Sequence, residues 1–464
     1  MNQLIQMTAV QTAQAIAAGD VSVSEVTEAH LARIAEVDPA LNAVVDKMED
    51  AARDTARAMD ANRPEDLPAL WGVPVTIKIN ADLQGYPTSN GVPALNTLPA
   101  PGDAAVVANL KAAGGVVIGR TSAPEFSLRW FTSNPIYGVT LNPWDKSLTP
   151  GGSSGGASSA VAAGMGCLGH GNDLGGSLRY PAYTCGLATL RPSLGRVPAY
   201  YPGATAERPV TIASMSVQGV IARSVADVQA ALPGLSRGAW QDPLWQAAPA
   251  DPKPPKTVGY CVDPFGDGVH PDVERAVIAA VEAAKEAGFE LVEVMPPHAA
   301  EAAQVWGEIL NTETDATTLP FMREHGSAAM MDVFAAYETA FGIVKRDRLV
   351  TCQARRNGLR RDWAGMFQKI DALILPVSAM PPFRVEQDFL EPETLPEMIR
   401  AQRAMYIINV LGLPSATVRT LDSRPVPLGV QVVGPQMGDE ACLSVAARIE
   451  GVLGFDLRPI DPVG

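Results

Sequence analysis

Three short segments of the chain carry residues that could do chemistry, and the first of them contains Lys78. This lysine lies in the β-rich run of residues 71–80, between Ile77 and Ile79. An inward-pointing lysine would lose its hydration there, which lowers its pKa and makes it a base near neutral pH. The alternative is that strand alternation points Lys78 to solvent, and spacing alone favours that alternative.

The second segment, residues 150–157, places Ser153 and Ser154 among four glycines and leads into a helix of small apolar residues. Such a backbone can adopt strained dihedral angles and expose hydroxyl groups. A flexible linker is disfavoured because the tightly apolar helix follows at once. The G-x-S-x-G pattern also matches the nucleophile elbow of His-dependent α/β-hydrolase esterases. An elbow needs a strand just before the serine, whereas residues 142–150 contain two prolines.

In the third segment, residues 171–181, two glycines come directly before Ser177. Consecutive backbone N–H groups of such a loop can point into one concavity, where they stabilise a developing oxyanion. Taken by itself, the segment is more typical of a simple turn.

Together the three segments resemble the amidase signature family. Residues 150–181 match the Gly/Ser-rich run, the spacer and the G-x-D-x-G-G-S-x-R-x-P-A ending of that family in order and length. The resemblance covers nearly the whole chain, since further matching segments occur at residues 72–75, 119–126, 134–138, 142–145, 194–198, 222–227 and 429–435.

The resemblance implies a triad of lysine, cis-serine and serine. Ser177 would be the nucleophile, Ser153 would relay its proton through a cis Gly152–Ser153 peptide, and neutral Lys78 would be the final base. The expected oxyanion hole consists of the N–H groups of Leu174, Gly175, Gly176 and Ser177, and the expected supporting residues are Ser154, Asp173 and Arg179.

Two residues depart from the family pattern beside this triad. Ile79 stands where an aspartate commonly follows the lysine, and Asn172 replaces the usual threonine or serine before Asp173. If the usual acid lies near the ammonium group, its loss should make Lys78 easier to deprotonate. Neither change touches the triad itself.

The substrate implied by the resemblance is a small carboxylic amide. Charged groups for an amino-acid headgroup are not evident, which favours aryl or alkyl amides and anilides, with carbamates and esters as further possibilities, over glutamine. A glutaminase-type component of a transamidation complex stays open as the alternative. The segments 126–137 and 301–361 contain aromatic and flexible apolar side chains that suit a substrate pocket. The predicted pocket residues are Ser127, Trp130, Phe131, Tyr137, Trp306 and Phe334.

Composition narrows the possible partners. The 464 residues carry a net charge of −14, and an acidic protein repels both nucleic acids and anionic membranes. The five cysteines are widely spaced and indicate reduced, mostly buried thiols, and the histidines form no common zinc pattern. We therefore expect no metal and no cofactor. The opening residues suggest no leader peptide, so a cytoplasmic location is expected, with a homodimer possible.

Strands alternate with helices along much of the chain. Predicted strands cover residues 73–79, 116–119, 257–261, 291–294, 372–375 and 428–433, and predicted helices cover residues 22–36, 103–113, 272–287 and 439–451. This rhythm indicates an α/β fold with a mixed, mostly parallel twisted sheet covered by helices on both faces. We expect one domain over residues 1–464, with N-terminal helices in 1–65, a catalytic core in 66–235 and further strands, helices and the pocket in 256–464.

Overall fold

An eleven-stranded sheet forms the centre of the computed structural model, which describes residues 1–423 and 425–462. The strands of this sheet are ordered β1-β3-β2-β6-β8-β7-β12-β13-β11-β9-β10, and β4 and β5 form a separate two-stranded sheet. Their bounds are β1 (Val44–Lys47), β2 (Pro74–Lys78), β3 (Val116–Thr121), β4 (Ser133–Asn134), β5 (Gly138–Val139), β6 (Leu168–Asp173), β7 (Ala188–Arg191), β8 (Val217–Ala222), β9 (Thr257–Tyr260), β10 (Glu290–Glu293), β11 (Ala372–Pro376), β12 (Ser415–Leu421) and β13 (Leu428–Val433).

The large sheet is mixed. Parallel pairs join β3, β2 and β6 near one end and β11, β9 and β10 at the other. The strands between these groups pair antiparallel, and so does the edge strand β1 with β3. Parallel pairing therefore holds where helices link the strands, whereas the middle of the sheet combines the consecutive antiparallel pairs β7–β8 and β12–β13 with antiparallel pairs of more distant strands.

Eighteen α-helices are assigned within the described residues, and none of them is long and apolar enough to span a bilayer. They are α1 (Gln3–Gln6), α2 (Ala9–Ala18), α3 (Val23–Val37), α4 (Glu49–Ala61), α5 (Ala105–Ala112), α6 (Gly155–Ala162), α7 (Arg179–Thr184), α8 (Val210–Ala213), α9 (Val225–Leu235), α10 (Pro271–Glu286), α11 (Ala299–Thr317), α12 (Leu319–His325), α13 (Ala328–Phe341), α14 (Arg346–Met366), α15 (Gln387–Leu390), α16 (Leu395–Ala401), α17 (Arg403–Leu411) and α18 (Asp439–Leu453).

Helices cover both faces of the sheet, as the sequence predicts. Strand β11 shows this arrangement, because Ile374 packs into one core with α5, α9, α10 and α18. Its neighbour Leu375 packs into a second core with α11, α13, α14 and α17. Successive side chains of a strand point to opposite faces, so the two cores lie on the two sides of the sheet.

The short-range sequence signals agree with the structure. Ser22 and Glu25 form the predicted capping box at the start of α3, where each side chain accepts from the other residue's backbone N–H. The five cysteines are buried and free, as expected. Strands from both sides of residues 247–255 enter the same sheet, so that proline-rich stretch is a connection within one α/β domain.

Candidate active site

The three segments singled out in the sequence meet at one edge of the sheet. β2 and β6 are parallel neighbours, so their carboxyl ends, at Lys78 and Asp173, lie at the same edge. Helix α6 begins at this edge, directly after Ser153 and Ser154. Strand ends and a helix start thus bring a lysine, two serines and a carboxylate together.

Lys78 is completely buried in an interior strand rather than turned to solvent. Its Nζ lies 2.7 Å from Ser153 Oγ, 3.1 Å from Ser154 Oγ and 2.9 Å from Asn172 Oδ1. Burial holds the pKa of Lys78 well below its usual range, and the nearby charge of Asp173 only partly offsets this. A neutral amine in this position can accept a proton from the Ser153 hydroxyl.

The loop before α6 presents Ser153 through the expected cis Gly152–Ser153 peptide. Gly152 is packed against the chain at Phe131: a Cβ there would lie 2.5 Å from Phe131 O and 2.6 Å from Phe131 N. Thr132 Oγ1 donates to Gly151 O over 2.8 Å and fastens the same loop. Only glycine fits at position 152, which accounts for the residue type that the sequence shows there.

Asp173 holds the turn that leads to Ser177. Its carboxylate accepts from the N–H groups of Gly176 (2.9 Å) and Leu178 (3.2 Å), and from Arg179 Nε and Nη2 at 3.0 Å each. Burial raises the pKa of Asp173, but the Arg179 guanidinium and the hydrogen bonds outweigh burial and keep the carboxyl ionised. The anchoring geometry expected for Asp173 and Arg179 is present.

One expected oxyanion donor is used elsewhere. The N–H of Gly176 is engaged with Asp173, so it fastens the turn and is not free for an incoming oxygen. Across residues 1–423 and 425–462, the N–H groups of Leu174, Gly175 and Ser177 donate to no protein acceptor. Three of the four predicted donors therefore stay available, and Gly176 has a structural role instead.

Ser177 lies on the outer side of this arrangement. Its exposed fraction is 8%, whereas Lys78, Ser153 and Ser154 are fully buried. Within the part of the chain that the structure describes, the Ser177 hydroxyl makes no hydrogen bond. The lysine and Ser153 are thus in contact below the surface, and Ser177 retains a small exposed fraction that Ser153 and Ser154 lack.

Asn172 contacts Lys78, a contact that the sequence patterns did not reveal. Besides accepting from Lys78, it donates through Nδ2 to Asn80 Oδ1 over 2.9 Å. Asn80 Nδ2 donates to Ser127 Oγ over 2.9 Å, and Ser127 Oγ donates to Asn90 Oδ1 over 2.6 Å. Uncharged polar groups therefore surround Lys78 on this side, and Ser127 belongs to this network.

The aromatic residues predicted for the pocket divide into two places. Trp130, Phe131, Trp306 and Phe334 are buried in the core beside α11 and α13. Tyr137 lies apart from them, since its hydroxyl donates to Asp46 of the edge strand β1 over 3.2 Å. The pocket prediction for Tyr137 thus has no support from its surroundings.

The two fully buried histidines have partners away from the serines. His170 Nε2 lies 3.1 Å from Gln218 Oε1, and burial lowers the pKa of His170 to about 4. His30 Nδ1 lies 3.0 Å from Gly164 O. Across the described ranges, no histidine forms a hydrogen bond with Ser153 or Ser177, as an esterase triad would require.

Comparison with known proteins finds similar sequences and similar folds. The Amidase family model matches residues 25–443. Indoleacetamide hydrolase of Bradyrhizobium diazoefficiens is 41% identical over 455 residues, covering 97% of this chain and 87% of that protein. A glutamyl-tRNA(Gln) amidotransferase subunit of Roseiflexus castenholzii is 31% identical, covering 99% of this chain and 98% of the other. A solved bacterial aryl acylamidase of the amidase signature family has a TM-score of 0.85 at 24% identity, with 98% of each chain covered.

Proposed function

Since this chain belongs to the amidase family and hydrolyses carboxylic amides, we propose that it does so through an acyl-enzyme on Ser177, with Lys78 as the base. The observation that carries the proposal is the buried Lys78 amine 2.7 Å from Ser153 Oγ. A serine hydroxyl cannot attack an amide efficiently unless its proton is removed, and a neutral lysine reached through Ser153 can remove it.

In the acylation step, Ser177 Oγ bonds to the amide carbon while its proton moves to Ser153 Oγ. The proton of Ser153 moves in turn to Lys78 Nζ, so that one proton is transferred overall. The carbonyl oxygen becomes an oxyanion, which accepts hydrogen bonds from the free N–H groups of Leu174, Gly175 and Ser177. Lys78 is then protonated, and its positive charge is partly balanced by Asp173.

The C–N bond breaks when a proton returns from Lys78 through Ser153 to the leaving nitrogen. Ammonia or an amine departs, and the acyl group remains on Ser177. Water then gives a proton to the same route and attacks the ester carbon, which releases the carboxylic acid and restores the Ser177 hydroxyl. Each proton taken by the base is therefore returned before the next turnover.

For the substrate, we propose the primary amide of an arylacetic acid. Support comes from the indoleacetamide hydrolase at 41% identity. An uncharged aryl group also agrees with the sequence, which offers no evident charged groups for an amino-acid headgroup. Aryl anilides, carbamates and esters are secondary substrates by the same chemistry, because they present the same carbonyl to the nucleophile.

The testing experiment combines a substrate panel with labelling of the purified single chain. Amine release is measured for indole-3-acetamide, phenylacetamide, an acetanilide, glutamine and a carbamate. A phosphonylating probe should add its mass to the wild type and not to Ser177→Ala. Labelling that persists in Ser177→Ala and is lost in Ser153→Ala would overturn the assignment of the nucleophile.

Release of ammonia from glutamine only, and only with added partner proteins, would favour the role in a transamidation complex instead. That alternative draws on the 31% identical amidotransferase component, whereas the proposed single-chain activity draws on the 41% identical hydrolase. A homodimer, the absence of nucleic-acid partners and a cytoplasmic location remain predictions from the sequence.

A further inference from the structure

Trp306 of α11 contacts the backbone that leads to Ser177. Its indole Nε1–H donates to Leu174 O over 3.0 Å. Leu174 O and the N–H of Gly175 belong to the same peptide group, and that N–H is one of the three that have no protein acceptor within the described residues. A hydrogen bond accepted by the carbonyl of a peptide both orients the group and strengthens its N–H as a donor.

The indole ring is itself held in place. Trp306 stacks on Tyr406 with ring centroids 4.0 Å apart and planes 1° from parallel, and Phe341 meets it edge-on at 5.8 Å. Gly175 packs against the ring, since a Cβ at that position would lie 2.8 Å from Trp306 Cζ2. Trp306 is 2% exposed, so the side chain predicted to line the pocket mainly supports the Ser177 turn.

We propose that Trp306 is a positioning residue for the oxyanion hole: its indole N–H sets the direction of the Gly175 N–H through the peptide group that both share. This inference rests on the proposed function, because it requires an oxyanion to form beside Ser177. Under this proposal, helix α11 helps to stabilise the transition state, in addition to any effect it has on substrate choice.

Trp130 provides a matched control. Its Nε1–H donates to Gly175 O over 3.4 Å, and the N–H of that peptide group belongs to Gly176, which is engaged with Asp173. Both indoles therefore donate to the turn, but only the Trp306 bond reaches a peptide whose N–H is free. If the two tryptophans only stiffened the turn, their substitutions should lower kcat equally. The proposal predicts a larger loss for Trp306.

The experiment compares Trp306→Phe with Trp130→Phe. For Trp306→Phe we expect kcat to fall about 10-fold, less than the loss of a whole oxyanion donor, with KM changed less than about 2-fold. The same factor should appear for acetamide and for phenylacetamide. Trp130→Phe should lower kcat by less than about 3-fold. A loss in Trp306→Phe that appears in KM and grows with the acyl group would overturn the proposal in favour of a pocket-lining role.

A binding measurement separates positioning from mere folding. The Ser177 hydroxyl can add to the carbonyl carbon of phenylacetaldehyde while its proton passes through Ser153 to Lys78, which leaves an oxyanion on the adduct, whereas the product phenylacetate forms no such adduct. Trp306→Phe should bind the aldehyde about 10-fold more weakly and phenylacetate unchanged. Equal weakening of both ligands would overturn the proposal. If Trp306→Phe does not fold, 3-benzothienylalanine at position 306 keeps the ring shape without the N–H, and the same outcomes apply.

The proposed function and this inference fail in different ways. Activity retained in Ser177→Ala would remove the proposed function and the inference with it. An inactive Ser177→Ala together with a fully active Trp306→Phe would leave the proposed function intact and remove only the role of Trp306.

Discussion

Lys78 has polar contacts to three uncharged side chains, and Asp173, the carboxylate whose charge acts on it, is bound to Arg179. Other titratable groups nearby are His170 on β6, which is neutral because burial lowers its pKa to about 4, and Arg120 on β3, which donates to the carbonyls of Ile79 and Ala81. Helix α6 adds no ionisable side chain. The amine therefore has no carboxylate among its hydrogen-bond partners, and the charge of Asp173 stabilises its protonated form only in part.

Asn172→Asp places a carboxylate where an amide oxygen now lies 2.9 Å from Nζ. A charge of opposite sign at this distance favours the ammonium form, so the pKa of Lys78 should rise. In the proposed mechanism the neutral amine is the active form, so the acid limb of kcat/KM should move to higher pH by the same amount as the pKa. Activity at pH 7 should drop and recover in alkaline buffer.

The control for this change is Asn172→Ser, which removes the amide without adding a charge. Its pH profile should keep the wild-type midpoint, although its rate falls because Lys78 loses one hydrogen-bond acceptor. An acid limb that stays in place in Asn172→Asp would show that the limb reports another group.

Lys78→Ala should lower kcat/KM for amides by at least about 100-fold, because both the proton acceptor and the proton donor are lost. A matched activated ester should lose less, since its leaving group departs as a weakly basic anion. Lys78→Arg should not rescue amides, because a guanidinium stays protonated. Near wild-type amidase activity in a folded Lys78→Arg, checked by circular dichroism, would contradict the proton route.

At the scale of the elements, the loop before α6 depends on a glycine with no room for a side chain. Gly152→Ala puts a methyl group 2.5 Å from Phe131 O, so we expect a loss of about 1–3 kcal/mol in the free energy of unfolding and a large loss of activity. Gly451→Ala in α18 is the control, because no atom lies within 4 Å of the added Cβ. That variant should gain about 0.5–1 kcal/mol.

Denaturant unfolding of both variants measures these changes. A Gly152→Ala protein with unchanged stability and activity would mean that the loop can move away from Phe131. In that case the close packing of residues 129–131 against the loop would not be needed to present Ser153.

Strands and helices follow the sequence where signals are local. Predicted strand 428–433 matches β13 completely, and the helix predicted at 272–287 matches α10 within one residue at each end. Strand direction in the middle of the sheet was not predictable in this way, because pairing such as that of β6 with β8 depends on contacts between distant segments. The same limit applies to Asn172, whose contact with Lys78 joins residues 94 positions apart.

At the scale of the whole molecule, a carboxylate of α18 forms a hydrogen bond with the first residue of α9. Glu450 accepts from the N–H of Val225 over 3.1 Å, and burial raises its pKa to about 7 from an ordinary value of 4.5. A carboxyl group with a raised folded-state pKa opposes folding once it must ionise. Its contribution should therefore destabilise the fold progressively between pH 4.5 and 7, and fully above pH 7.

Glu450→Gln removes this ionisation and keeps an acceptor for Val225. The free energy of unfolding of the variant minus that of the wild type should be about 2 kcal/mol larger at pH 8 than at pH 4.5. This figure allows for the partial exposure of the side chain. Urea unfolding of both proteins at several pH values measures the difference. A difference that does not change between pH 4.5 and 8 would show that Glu450 ionises normally.

The guanidinium of Arg179 reaches across the molecule to residues much later in the chain. It donates to Gln431 Oε1 over 2.9 Å and to Asn409 Oδ1 over 2.5 Å, while Asn409 Nδ2 donates to Asp173. A ribosome that has added 400 residues has already made Lys78, but not these two amides. The nascent chain thus contains Lys78, Ser153 and Ser177 before it contains the residues that hold Arg179 and Asp173 in place. Chains stalled at that length should escape a phosphonylating probe, and release of the complete protein should start the labelling.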